Sequence, residues 1–373
     1  MSMKVLHIIN NLGSGGAEKL LEGLIPLINK MDNIEADILL LTDKKNVFFD
    51  SLVNNGVKVE TIKFKRMYDF RNIFEIKNHI VNGGYDIVHS HTFPTQMWVA
   101  LSRLIITNSK VKFVTTEHST HNRRRGKFYF KPLDKLIYSQ YDLIVSITKT
   151  TRDNLLNWIN PKQKKIDKHI IIKNGVDIQK IKEALPYKKG ELIEGICENT
   201  KLVCMVGRFS DAKDQPTLIR SVSRLPEDIH LVLVGEGPLK KENEELAEEL
   251  DLSDRVHFLG FRKDIPRILK TVDIVVLSSY WEGLSLSSIE GMASGKPFLA
   301  SNVIGLEEVV GNVGLLFNQG DFDSLAHLIK ELFDDPSLYA SIVNRCILKA
   351  NEYSIEDVTA NIINNYNLLI RQQ

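Results

Sequence analysis

The sequence predicts an α/β protein built from two doubly wound, Rossmann-like domains. Three observations carry that expectation. Short apolar, β-branched runs alternate with helix-period segments from end to end, the pattern of parallel strands joined by crossover helices. The strand runs are apolar on both faces, as strands covered by helices on either side must be. The pattern also pauses once, over residues 178–200, a lysine- and glutamate-rich stretch with Pro186 and Gly190, and then begins afresh with a new strand–loop–helix unit.

In the first half the strand candidates are Lys4–Ile9, Ala36–Leu41, Ile87–Ser90, Lys112–Thr116, Leu143–Ile147 and His169–Ile172. In the second half they are Leu202–Val206, His230–Val234, Val256–Phe258, Ile274–Leu277 and Pro297–Ala300. Between them lie amphipathic stretches such as Lys240–Leu250, whose alternating Lys and Glu residues read as a solvated helix face. The pause at 178–200 is taken as the interdomain linker, which divides the chain into domains 1–180 and 181–354, facing each other across a cleft. The last stretch, Ile355–Leu369, has helical periodicity and no strand after it.

A length of 373 residues is enough for two domains with separate cores. Hydrophobic residues at 43% and charged residues at 25% give the balance of a globular protein, and a net charge of +1 offers no field that would select nucleic acid as partner. Cys197, Cys204 and Cys346 are far apart and form no CxxC pair, against both a structural zinc site and a disulfide framework. The run Met1–Asn10 reads as a first strand and not as a signal peptide, and no apolar run approaches the roughly 18 residues that a membrane span needs. A cytoplasmic location is the expectation.

Three segments could carry chemistry. Asn11–Glu18 follows the first strand and opens a helix; its Gly15 and Gly16 allow close backbone approach, and a helix N-terminus offers N–H groups to an anion. Glu18 stands where a dinucleotide fingerprint needs its third glycine, so NAD binding is rejected, and a simple tight turn is the competing reading. Val206–Asp214, at the mouth of the second domain's first strand, sets Arg208 and Lys213 five residues apart, a fork and a point charge suited to a diphosphate; the alternative is a solvated loop. Glu282-Gly283-Leu284-Ser285-Leu286-Ser287-Ser288-Ile289-Glu290 is the most specific segment. It places Glu282 before a helix, Glu290 about two turns inside it, and the N–H groups of Leu284, Ser285 and Leu286 at the positive end of the helix dipole. Carboxylates flanking an anion site suit a ligand that carries both hydroxyls and phosphates; capping by Ser285 and Ser287 is the rival reading.

Together these segments resemble the retaining glycosyltransferases of family four, with the GT-B fold, over almost the whole chain. The matching motifs are Gly-Gly-Ala-Glu at 15–18, Asn-Gly-Val-Asp at 174–177, Gly-Arg-Phe with its lysine at 207–213, Gly-Glu-Gly-Pro at 235–238 and E-x7-E at 282–290. The resemblance implies a metal-independent hexosyl transfer, with no cofactor, from a nucleotide diphosphate sugar, UDP-linked, to a hydroxyl of a glycan or lipid-linked acceptor. It implies that Arg208 and Lys213 bind the diphosphate, with Gly283, Leu284, Ser285 and Leu286 supplying N–H groups. Glu282 would contact the donor sugar, Glu290 the ribose, Gly15 and Gly16 the phosphate and sugar, and Gly260, Phe261 and Arg262 the base. His118, in Thr-Thr-Glu-His, would touch the reacting sugar. The orphan helix, with the tail to residue 373, would cross back onto the first domain. Ser285 and Ser287 stand where the family often has Gly and Pro, which leaves the sugar open. A nucleotide-sugar epimerase and a non-catalytic sugar-nucleotide binder are the rival functions.

Three further features are set aside or left open. His89 and His91 resemble a metal pair without a third ligand and read as local packing, so no metal site is expected. Asp321-Phe322-Asp323 imitates a D-x-D metal motif but follows Gly320 and opens a helix, so it reads as a cap. Arg123–Lys131 mixes cations and aromatics, and is a candidate peripheral contact with an anionic membrane.

Overall fold

The computed structural model describes residues 2–107, 110–119, 124–159 and 168–371. The chain forms two compact units, Met1–Gly175 with Ile355–Gln373, and Val176–Ser354. In the first, strands β1 (Met3–Ile9), β2 (Ile34–Leu40), β3 (Val59–Thr61), β4 (Ile87–His91), β5 (Lys112–Glu117), β6 (Leu143–Ser146) and β7 (His169–Ile171) make one parallel sheet in the order β3-β2-β1-β4-β5-β6-β7. In the second, β8 (Lys201–Val206), β9 (Ile229–Val234), β10 (Val256–Phe258), β11 (Ile274–Leu277), β12 (Phe298–Ser301) and β13 (Leu315–Phe317) form a parallel sheet in the order β10-β9-β8-β11-β12-β13. Each unit is therefore doubly wound, as expected. Every strand read from the sequence is present, and the structure adds β3 and β13, each three residues at a sheet edge.

The linker expectation is corrected. The change of unit falls at Gly175, and residues 178–200 belong to the second unit, with helices Ile178–Glu183 and Lys189–Leu192. The charged composition misled because the lysine involved is structural. Lys189 Nζ donates to Asp273 Oδ2 at 2.8 Å and to the Thr200 carbonyl at 2.6 Å, while Ile178, Ile181 and Leu192 are buried.

The pleat divides the first sheet between two cores. Val5, Ile9, Ile87 and Val114 pack with the helix Gly16–Asn29 and the last helix, Ile355–Arg371. Leu6, Ile8, Val88 and Phe113 point the other way, against Trp98, Ile137 and Tyr138. The last helix inserts Ile355, Val358, Ile362, Tyr366 and Leu369, so it is part of the first unit's core.

Two glycines border that helix and make opposite predictions. A Cβ at Gly175 would lie 2.8 Å from Ile355 Cα and 2.9 Å from Val358 Cγ2, a contact with backbone that cannot yield. At Gly23, inside Gly16–Asn29, the nearest atom to a Cβ would be Ile355 Cγ1 at 3.6 Å, ordinary van der Waals contact. Gly175→Ala should destabilise the fold by about 1–3 kcal/mol through overpacking. Gly23→Ala should stabilise it by roughly 0.5–1 kcal/mol by restricting the unfolded chain. Urea titrations of the two variants against wild type measure both signs.

Candidate functional site

In the second unit the strand order reverses between β8 and β11, where open α/β sheets hold their ligands at the C-terminal ends of the strands. The loops that leave these two strands are bound together. Tyr280 N donates to the Ala212 carbonyl at 2.9 Å, and Ser278 Oγ donates to the Asp214 carbonyl at 2.8 Å. Asp214 adopts a left-handed conformation (φ 47°) and caps the helix Gln215–Val222, taking the Thr217 hydroxyl at 2.6 Å. Just before it, Lys213 Nζ reaches Glu282 Oε1 at 2.5 Å, and Ser279 Oγ donates to the same oxygen at 2.7 Å. Lys213 and Glu282 are 16% and 12% exposed, so each offsets a charge that would otherwise be poorly solvated. Two residues that the sequence separates by 69 positions thus meet at the switch point.

The neighbouring loops lock onto this arrangement through their backbones. Phe209 N donates to the Glu236 carbonyl at 3.2 Å, Leu239 N to the Phe209 carbonyl at 3.3 Å, and Gly235 N to the Gly260 carbonyl at 2.9 Å. A Cβ at Gly235 would stand 2.0 Å from the Gly207 oxygen, and one at Gly237 would stand 2.1 Å from the Phe209 oxygen. This close approach accounts for the Gly-Glu-Gly-Pro segment. It holds Phe209 in the core while the Arg208 side chain stays exposed. Phe261, after Gly260 (φ 63°), is 40% exposed. Arg262 is committed elsewhere: its guanidinium donates to both Asp264 oxygens at 2.8 and 2.5 Å, which holds the Asp264 carboxyl well below the usual range.

The helix of the E-x7-E segment is Leu286–Ala293, with Ser285 at the N-cap position. Serine capping does not occur. The Ser285 side chain makes no cap hydrogen bond, its carbonyl accepts from Ser288 Oγ at 2.7 Å, and its hydroxyl lies 3.5 Å from that of Ser287. The first N–H groups of the helix are left without a side-chain cap. Glu290 is buried and is the fifth helical residue, so it sits just over one turn in, not two. Glu282, Gly283, Leu284 and Ser285 lie in the loop before the helix, and the carbonyls of Glu282 and Gly283 pack on Gly305, where a Cβ would come within 2.5 Å.

In the first unit Gly15 is the N-cap of Gly16–Asn29, and the space beside Gly16 is open. Glu18 folds its carboxylate back over Gly15, at the end of the helix where an anion would sit, and burial raises its carboxyl pKa. His118 follows β5 and is half-buried. The strand register sets His7 of β1 beside His89 of β4. His7 Nδ1 lies 3.0 Å from His91 Nε2, and His91 Nδ1 lies 3.0 Å from His118 Nε2. His89 is held between Tyr366 Oη at 2.6 Å and Thr116 Oγ1 at 2.7 Å.

The reading of His89 and His91 as a pair without a third partner is therefore corrected. His7 brings a third ring, with ligand atoms of the three within 4.8 Å of one another. Both ring nitrogens of His89 are taken by hydroxyls, however, and no carboxylate belongs to the cluster to balance a buried cation. The cluster fits hydrogen-bonded neutral rings. Sequence reasoning missed His7 and Tyr366; a histidine inside the apolar run of β1 was the available signal.

Two other features resolve cleanly. Asp321 caps Phe322–Asp334 by accepting from Ser324 N at 2.9 Å, and Asp323 pairs with Arg224 at 2.9 Å. The basic stretch is not the charged surface its composition implies. Arg124 lies 3.6 Å over the Phe93 ring and 3.4 Å from buried Asp134, and Arg125 lies 3.4 Å from Glu117. Arg123 lies outside the described residues. Lys127, Phe128 and Tyr129 are exposed, and no helix among the described residues is long and apolar enough to cross a membrane.

Comparison with known proteins matches residues 14–180 to "Glycosyltransferase Family 4" and residues 192–347 to "Glycosyl transferases group 1". An uncharacterised glycosyltransferase of Methanocaldococcus jannaschii is 30% identical over 312 residues, 78% of this chain and 74% of that one. The UDP-Gal:alpha-D-GlcNAc-diphosphoundecaprenol alpha-1,3-galactosyltransferase of Escherichia coli is 28% identical over 288 residues, 72% of each chain. Among solved structures, Anabaena HepE in complex with UDP-glucose matches with a TM-score of 0.83 at 22% identity, covering 98% of this chain and 99% of that one.

The histidine cluster has a thermodynamic consequence. Burial lowers His7 from 6.5 to about 3 and His118 from 6.5 to about 4, and it lowers His89 and His91 well below 6.5. Between pH 6.5 and about 4 the unfolded chain binds protons that the folded chain does not, so stability falls as pH falls, by about 1.4 kcal/mol per pH unit for each histidine so held. The melting temperature should change little above pH 7 and drop steeply from pH 6.5 to 5, before most carboxylates titrate. His7→Gln should make that drop shallower. A flat profile in the wild type would contradict the burial of neutral rings.

Proposed function

The chain belongs to the group 1 glycosyltransferases of family four, and from that premise we propose that it transfers a hexosyl residue from a UDP-linked sugar to a hydroxyl of a lipid-linked glycan, with retention at the anomeric carbon. The observation that carries this reading is the meeting of Lys213 and Glu282 at the β8/β11 switch point, beside a helix start with no side-chain cap. A diphosphate arriving there would find a cation and free N–H groups, and the carboxylate released from Lys213 would be ready to accept hydrogen bonds from sugar hydroxyls. Arg208 extends from the exposed end of the same loop as a second cation, Glu290 takes the ribose hydroxyls, and the half-exposed Phe261 ring flanks the base. The UDP-glucose complex of HepE and the donor and acceptor in the name of the E. coli relative support the choice of substrates.

In this reading the acceptor oxygen bonds to the anomeric carbon on the face the leaving group occupies. The bond from that carbon to the diphosphate oxygen breaks, and the acceptor proton passes to the departing phosphate. Negative charge grows on the diphosphate, so Arg208, Lys213 and the helix N–H groups stabilise the transition state more than the ground state. Two cations and a helix end supply the neutralisation, and both carboxylates of Asp321-Phe322-Asp323 are engaged elsewhere; transfer is proposed to proceed without a metal ion. Peripheral contact with an anionic membrane, if the acceptor is presented there, falls to Lys127, Phe128 and Tyr129, since Arg124 and Arg125 point inward.

Steady-state transfer from a panel of UDP-sugars to a lipid-linked acceptor tests the function, and activity should survive EDTA. Within it, Glu290→Ala should mainly raise the donor KM. Arg208→Ala should lower kcat about a hundredfold, the usual cost of losing one preorganised donor, and Arg208→Lys should stay clearly impaired because the fork is lost while the charge remains. Wild-type kcat in Arg208→Ala would refute the transition-state role.

A further inference from the structure

The first unit leaves a group of aromatic side chains in water at one end of its sheet. Tyr68 and Phe70, in the loop that follows β3, are 71% and 66% exposed, and Phe74, in the first turn of the helix Asn72–Gly83, is 53% exposed. The loop is not free to fold these rings inward. Ile62 is buried and Met67 packs on the same core, while Trp98 Nε1 donates to the Met67 carbonyl at 2.8 Å and buried Asn72 donates to the Arg66 carbonyl at 2.9 Å. Asp69 takes the Arg71 fork at 3.0 and 2.7 Å, and the guanidinium lies 3.8 Å over the Phe64 ring. A backbone pinned from beneath thus holds Tyr68 and Phe70 outward, and the recess between Arg66, Tyr68, Asp69, Phe70 and Arg71 stays open.

Cations surround these rings. Lys63, Lys65, Arg66 and Arg71 share the loop with Asp69, and Glu75 lies just inside the helix. Lys65 pairs with Asp43 at 2.7 Å, which brings in the loop after β2, where Lys44 and Lys45 are exposed. Six cations thus meet three carboxylates here, and Lys63 and Arg66 make no ion pair among the described residues. The whole chain carries only +1, so the excess is local.

The parallel topology brings a second point of contact to the same edge. The helices Asn72–Gly83 and Lys131–Ser139 pack on either side of Thr95–Leu104, on one face of the sheet, and each follows a strand of the same direction. The residues just before them therefore share the C-terminal edge of the strands, roughly 20 Å apart, which is two helix spacings. Phe128 and Tyr129, before the second of these helices, are 84% and 59% exposed, with exposed Lys127 beside them.

We propose that this edge of the first unit docks on an anionic bilayer. Tyr68, Phe70 and Phe74 enter the headgroup layer, the surrounding lysines and Arg66 meet lipid phosphates, and Phe128 and Tyr129 make the second contact. Aromatic side chains settle at the boundary between headgroups and chains, and clustered cations are drawn to an anionic leaflet. A bilayer answers both features at once. The rings project singly from two loops and form no continuous apolar stripe for a partner helix, and the charge around them has a net positive sign. The surface extends the contact proposed above for Lys127, Phe128 and Tyr129, and it depends on no step of the transfer reaction.

Co-sedimentation of the full-length protein with vesicles tests the surface without turnover. Binding should be strong to equal parts phosphatidylcholine and phosphatidylglycerol, weak to phosphatidylcholine alone, and should fall as salt rises. Replacing Tyr68 and Phe70 together by Ser should lower the partition coefficient about tenfold, and so should Lys63→Ser with Arg66→Ser, which should also flatten the salt dependence. All four side chains are exposed, so the melting temperature should not move. Leu185→Ser and Leu348→Ser, at positions equally exposed on the second unit, should bind vesicles as wild type does. Wild-type partitioning of either double variant, or equal binding to both kinds of vesicle, would overturn the proposal. A dimer that binds no vesicles and that Tyr68→Ser with Phe70→Ser dissociates would give the surface to a second copy of the chain, and would overturn it too. A protein that docks in this way but transfers no sugar upholds the surface and counts against the functional reading alone.

Discussion

The first unit cannot close without the end of the chain. Its seven-stranded sheet is covered on one face by the first helix and the last, and Ile355, Val358, Ile362, Tyr366 and Leu369 of the last helix share a core with Val5, Leu21 and Ile25. Left uncovered, that face would expose several fully apolar side chains, each worth about 1.5–3 kcal/mol on burial. All of the second unit is inserted between Gly175 and Ile355. The two crossings run side by side: Val176 N donates to the Tyr353 carbonyl at 2.9 Å and bridges to Ser354, while Gly175 lies against the backbone of Ile355. The glycine of Asn-Gly-Val-Asp is thus tied to the return of the chain, and the first unit's core forms through contacts of very high sequence separation, which slows folding.

The same helix reaches the candidate site. Tyr366 is both a core residue and the hydroxyl that engages His89 Nδ1, so the packing that closes the core also orients the ring stacked on His91. Truncation of the last helix would remove a hydrogen bond from a buried imidazole as well as apolar surface, and an imidazole left without its partner carries the full desolvation cost.

What was legible in the sequence followed from local chemistry. Apolar runs gave the long strands, and E-x7-E and Gly-Arg-Phe marked the loops that the switch point brings together. What was not legible depended on partners distant in sequence. His7 joins His89 only through the β1/β4 register, and nothing local to Met3–Ile9 announces it beyond one polar residue in an apolar run. Lys189 looks like a linker lysine until Asp273, 84 positions away, is placed beside it. Arg124 and Arg125 look like surface charge until Asp134 and Glu117 take them inward. Charged residues misled in the last two cases because composition reports how many charges a segment carries and not which of them are neutralised by the fold.

The two candidate sites hold their polar groups in different ways. In the second unit the cation is stored as an ion pair, Lys213 with Glu282, because a partly buried lysine facing nothing would be costly. Such a pair must rearrange when an anion binds, and under the proposed function the rearrangement is useful, since it releases a carboxylate beside the incoming sugar. In the first unit the polar groups are stored as neutral rings bonded to one another, which need no counter-ion. Charge is thereby confined to the loops proposed to hold the leaving group, where negative charge increases as the bond breaks.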